Sequence, residues 1–156
     1  MVLTENISTM TNTEISHLYE RDIRRLIQEI ILFKSEKNLW KTYGSIRNSS
    51  GNLALHIIGG LNFLIGATLA NTGYIRNRDQ EFTANNVERN LILQQLENLI
   101  PMITKTVNSF TREEMDTPYP TFFDKDNATN SYVLTQLLLH LNYHLGQVNY
   151  LRRALE

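Results

Sequence analysis

Cysteine is absent from this chain of 156 residues. That excludes a disulfide framework and every thiolate metal site, so chelation has only His, Asp, Glu and water to draw on. No sign of charge dominates: 15 Lys and Arg stand against 16 Asp and Glu, dispersed, for a formal net charge of −1. Such a surface does not attract a phosphate backbone, and nucleic acid is not an expected partner. No apolar run is expected to approach the roughly 18 residues that a membrane span needs. The N-terminal MVLTENISTMTNTEI lacks the basic region and apolar core of an export signal. These absences lead to the expectation of a soluble, cytoplasmic protein without membrane association.

Sustained strand alternation is missing too, and four long helical patterns take its place, an all-α reading. The length suits a single domain over 1–156. The first pattern runs from about Thr13 to Ser35, with Ile15, Leu18, Ile23, Leu26, Ile30 and Phe33 at helical spacing and Thr13 as candidate N-cap. A second follows Ser49 and Ser50, from about Asn52 to Asn71, and ends at Gly73. It is apolar nearly all round, so it is either central or covered on its outer face, by another subunit or by loops. Gly59, Gly60 and Gly66 each cost it roughly 1 kcal/mol of helix propensity against Ala, which points to a close approach by a neighbouring helix or a ligand. The third pattern runs from about Ala84 to Ser109, with Leu91, Leu93, Leu96, Leu99, Ile103 and Val107 inward and Pro101 expected to kink or split it. After the connecting segment TREEMDTPYPTFFDKDNATN, the fourth covers about Ser131 to Ala154. The links LWKTYGSIRNSSG and GYIRNRDQEFTANN exceed the usual bundle connection of about 2 to 8 residues, which predicts crossovers or loops that cover a site.

Two of the four histidines, His140 and His144, lie four residues apart in LLLHLNYHLGQ. Residues so spaced share one helix face, here about 40° apart and centred on the apolar stripe of Val133, Leu137 and Leu151. A buried imidazole needs a partner, and this spacing suits two ligands of one metal ion; two hydrogen-bonded core histidines are the plainer alternative. His56, on the second predicted helix, is the natural third ligand, because bundle sites are assembled from facing helices. Three neutral imidazoles leave a tetrahedral divalent ion one open position, the composition of a catalytic site. Zinc, nickel and iron all suit such ligands.

His17, beside Glu20 and Arg21, is expected at the surface. Asp22 and Glu29 fall on the inward sector of the first helix, either as acceptors for an imidazole N–H or, more simply, paired with Arg25. Asn52 and Gln136, each one turn before a histidine, are candidates to orient a ligand or to satisfy backbone. The charged RNRDQEF at residues 76–82 is either a solvated turn or a loop anchored over the site by Phe82, and Trp40 is expected to pack a loop onto the bundle.

NLALHIIGGL, RNRDQEF and LLLHLNYHLGQVNYLRR together resemble the DinB/YfiT-like family of metal-dependent proteins over nearly the whole chain. The most specific part is HxxxHxGQ, which reads His140, His144, Gly146 and Gln147. The resemblance implies a four-helix bundle with non-consecutive neighbours and long crossovers, a metal triad of His56, His140 and His144 between helices two and four, and a homodimer. Family members with assigned activity use low-molecular-weight thiols in transfer and isomerisation. The leading expectation is therefore a thiol-dependent S-transferase using zinc or nickel, with iron as a further choice and no catalytic acid or base identifiable. A metal-dependent hydrolase, or a bundle in which the ion is a structural staple, are the alternatives. A staple should have a fourth protein ligand, whereas a catalyst should have a cavity beside an open position.

Overall fold

The computed structural model describes residues 10–156, and among these it is an all-α helical bundle. Helix α1 spans Asn12–Ile31 and is started by a capping box: the Thr11 side chain accepts from the Glu14 N–H, and Glu14 returns a bond to the Thr11 N–H. Thr11 is thus the cap, two residues before the Thr13 expected. The helix also stops short of Ser35. Phe33 is buried from beyond its end, so apolar spacing continued after helical backbone had stopped. A 3₁₀ turn at Glu36–Trp40 follows, and Trp40 covers Gly51, where a Cβ would lie 2.7 Å from the indole.

Helix α2 spans Ser50–Leu61, with Ser49 as its cap. It continues through a π turn at Asn62–Ala67 and a last turn at Thr68–Ala70, and Asn71 ends it in the left-handed conformation. The stretch Ser50–Ala70 is long and apolar enough to cross a membrane by length and composition, contrary to the expectation that no apolar run is long enough. Asn52, His56 and Asn62 interrupt the run without lowering its average much. In the fold its core face packs against other helices, with Leu53, Ala54, Ile57, Ile58, Leu61 and Ile65 buried.

The expected start of the third long helix at Ala84 is wrong. Ala84 is extended and ends a short helix, α3, at Arg78–Thr83, which Asn77 caps; the long helix α4 is Arg89–Ser109. Its inward phase is set by Ile92, Leu96, Leu99 and Ile103, all buried, which leaves Leu91 exposed one position off the face. Helix α4 runs on through Pro101 without splitting. A second capping box, Thr111 with Glu114, starts the short helix α5 at Arg112–Asp116 inside the segment read as a plain connection. Helix α6, Asn130–Leu155, begins at the Thr129 cap.

Helix α1 packs mainly against α4 and α6, and α2 packs against α6, α4 and the covering α3. The four long helices therefore follow each other around the bundle as α1, α4, α2, α6. Consecutive α1 and α2 lie on a diagonal, which is why their link is long. The α1–α6 seam carries polar ties: the buried Tyr19 hydroxyl donates to the Leu134 carbonyl at 2.6 Å, Asn142 donates to Asp22, and Asn149 and Arg152 donate to Glu29. Asp22 also pairs with Arg21 and, at 3.6 Å, with Arg25. Neither carboxylate reaches an imidazole. Both are used to fix α1 on α6.

Candidate metal centre

The neighbouring helices α2 and α6 bring His56, His140 and His144 together, and one ring nitrogen from each lies within 4.8 Å of the others. His140 Nε2 is 3.0 Å from His56 Nε2 and 3.1 Å from His144 Nε2. The rings stand nearly perpendicular, at 78°, 89° and 88° pairwise. Tetrahedral zinc with bonds of about 2.0 to 2.1 Å would hold nitrogens about 3.3 Å apart, so these two pairs require only a small spreading. No fourth His, Cys, Asp or Glu joins the group among the described residues.

Acceptors behind two of the rings decide where their protons sit. His56 Nδ1 is 2.9 Å from Glu81 Oε2, and His144 Nδ1 is 2.6 Å from the Gln147 amide oxygen. A neutral imidazole that donates from Nδ1 presents a lone pair at Nε2. Both Nε2 lone pairs are thereby aimed at the shared centre, as a metal ligand requires. Gln147 stands three residues after His144, on the same helix face. Partial desolvation, then repulsion from His144, His56 and Arg76, pushes the His140 imidazole down to about 4. Desolvation also lowers His144, against the opposing bond from Gln147. Three close cations would repel one another; neutral rings suit a cation instead.

Glu81 is the residue that sequence reasoning missed. It is buried on α3, and Arg76 grips its carboxylate with two bonds of 2.7 and 2.8 Å. Burial works to raise the Glu81 carboxyl, but the bonds from Arg76 and His56 hold it below its usual value. Room for it exists because residue 59 is glycine: a Cβ there would lie 2.1 Å from Glu81 Oε1. The close approach expected at Gly59 comes from this side chain. Asn52 orients no imidazole; it donates to the carbonyls of Glu81 and Ala84 and fastens α3 onto α2. Phe82 stacks 4.9 Å from the His56 ring, so RNRDQEF is an anchored cover. Its acid partner was hidden among like-looking surface charges.

The histidines do not share one environment. His144 is 9% exposed and the His56 side chain 11%, but His140 is exposed, at the edge of the stripe and not its middle. It faces a cavity of about 700 Å³ lined by α2, α6, Arg76, Arg78, Phe122 and Phe123. Gln136 lines this cavity also. The π turn contributes Leu64 to the wall while its carbonyl accepts the Tyr119 hydroxyl at 2.7 Å. His17 is exposed, as expected.

Fold and site thus define an all-α bundle with three imidazoles converging at the edge of a cavity. The chain belongs to the family described as "Protein of unknown function (DUF1572)", whose pattern matches residues 8–156. A solved structure described as "Crystal structure of the conserved protein of locus from Enterococcus faecalis" shares the fold, with a TM-score of 0.73 over 93% of this chain and 97% of that one, at 14% identity. No curated protein matches the sequence.

Proposed function

We propose that this protein is a metal-dependent enzyme of the DinB/YfiT-like type, in which His56, His140 and His144 hold one divalent ion and the adjoining cavity receives a small-molecule substrate. The observation that carries this reading is the pair of Nδ1 acceptors, Glu81 and Gln147, which turn two Nε2 lone pairs toward the same point as His140. A structural staple is disfavoured because no fourth protein ligand closes the group among the described residues and the cavity adjoins it. Zinc or nickel fits the ligand set best, with iron also compatible.

When bound, such an ion supplies Lewis-acid chemistry, lowering the pKa of a coordinated thiol or water. The chain's own part is to hold and screen. His56 is fixed by Glu81, Arg76 and Phe82 on one side, and His144 by Gln147 on the other. The leucines and phenylalanines of the cavity offer apolar surface to the body of a substrate. Thiol-dependent S-transfer is the preferred reaction, because the cavity lining offers no carboxylate to act as general base toward water. A hydrolase would use the same three ligands. A homodimer belongs to this reading through the family resemblance, and a cytoplasmic location through the lack of an export signal in the N-terminal MVLTENISTMTNTEI.

Metal analysis of the purified protein tests the site: about one divalent ion per chain is expected, lost in His140→Ala. Equal metal content in both would overturn the triad. For the reaction, a conjugation assay with cellular thiols and a generic electrophile should give a rate abolished by chelation; a rate indifferent to chelator argues against a metal-activated thiol.

A further inference from the structure

The cavity beside His140 is electrostatically one-sided. Its lining contains two guanidinium groups, Arg76 and Arg78, and neither a carboxylate nor an ammonium group. Arg76 is already neutralised by Glu81 behind the wall. Arg78 is different: it is exposed and makes no ion pair among the described residues. In a chain of net charge −1, this concave surface carries one uncompensated positive charge. A bound divalent ion would add to it.

Besides His56, His140 and Gln136 the rest of the lining is largely apolar, and part of it is left in water. Phe122 is 72% exposed, Tyr143 63% and Leu139 58%, and all three line this one cavity. Scattered exposed apolar side chains need no explanation, but a cluster at the edge of one cavity marks a binding surface. It is also held in place. Tyr119 ties the segment to the Leu64 carbonyl at 2.7 Å and packs its ring edge-on against Phe123.

We propose that the cavity selects a small amphipathic anion, an organic acid whose anionic group pairs with Arg78 and whose hydrocarbon or aromatic body lies on Phe122, Leu139 and Tyr143. This rests on the reading of the cavity as the substrate chamber, and it names the substrate class: whichever reactant enters carries an acid group remote from its reacting atom. Arginine suits the task because its planar fork binds a carboxylate with two parallel bonds. The volume of about 700 Å³ lies in the range of small-molecule sites.

The test compares octanoate, 1-octanol and octylammonium, ligands of matched chain and different charge, by isothermal titration on chelator-treated and zinc-loaded protein. On the zinc-free protein octanoate should bind about tenfold more tightly than octanol, with octylammonium weakest. Arg78→Gln should abolish that ratio and Arg78→Lys should restore part of it. Phe122→Ala should weaken octanoate and octanol alike. No measurable octanoate binding, equal binding of the three ligands, or an unchanged ratio in Arg78→Gln would overturn the proposal. Selectivity that appears only with zinc and ignores Arg78 also overturns it, and leaves the metal reading standing. Charge selectivity in a protein that binds no zinc supports the anion site and defeats the metal reading instead.

Discussion

Gly59 is the position where a single added carbon should reach the candidate centre. Alanine there drives its Cβ into the Glu81 carboxylate, which must then withdraw from His56 and disturb the Arg76 pair. Groups that orient a metal-bound histidine are worth roughly 10- to 100-fold in metal affinity. Gly59→Ala should therefore weaken zinc binding by about that factor in competition with a chromophoric chelator, while the helical circular dichroism persists. Unchanged affinity would remove Glu81 as the group that orients His56. The histidines themselves were legible, because four-residue spacing on a stripe is a one-dimensional signal. Gln147 was within reach of the same argument, three residues from His144. Glu81 was not: it lies 25 residues from His56, in a segment whose charges look solvated until the fold buries one of them.

At the level of elements, the long helices were readable and their ends were not. Helix starts depend on which of several Ser or Thr residues caps, and Thr11 prevails over Thr13 because Glu14 stands three residues after it and completes the box. Short α3 and α5 have too few turns to show a period, and the π turn leaves no mark in composition. Pro101 does not split its helix, for a physical reason. It is exposed, so water can satisfy the carbonyl of Glu97 that its missing N–H deserts, and Thr104 adds side-chain bonds to the carbonyls of Ile100 and Pro101 at 2.9 and 3.3 Å. Pro101→Ala should restore the helical bond at the cost of a freer unfolded chain. The expected net gain is about 1–2 kcal/mol in urea denaturation, below the roughly 3 kcal/mol of an unrelieved helix proline. A loss of stability would show that the helix is bent around Pro101 in a way the bundle needs.

For the whole molecule, the candidate centre bridges α2 and α6, neighbours in space that are far apart in sequence. An ion bound there closes a long loop in the folded state and should stabilise the bundle by mass action. Free zinc at 100 times its dissociation constant should raise the unfolding free energy by about 2.7 kcal/mol, and His56→Ala should cancel the increment. Stabilisation of equal size in that variant would place zinc elsewhere. The apolar surplus of the second helix was the sequence argument for a dimer; in the fold α3 packs on this helix, and Phe63 is its exposed large hydrophobic, at 38%. By itself the sequence determined the all-helical class, the four long helices and the His140 and His144 pair on one helix face, because periodicity and spacing along one chain contain them. Only the tertiary structure decided the diagonal placement of α1 and α2, the seating of Glu81 against Gly59, and the exposure of His140 at a cavity with an unpaired arginine. Each of those depends on which distant segments meet, and burial, charge pairing and open volume are properties of the meeting.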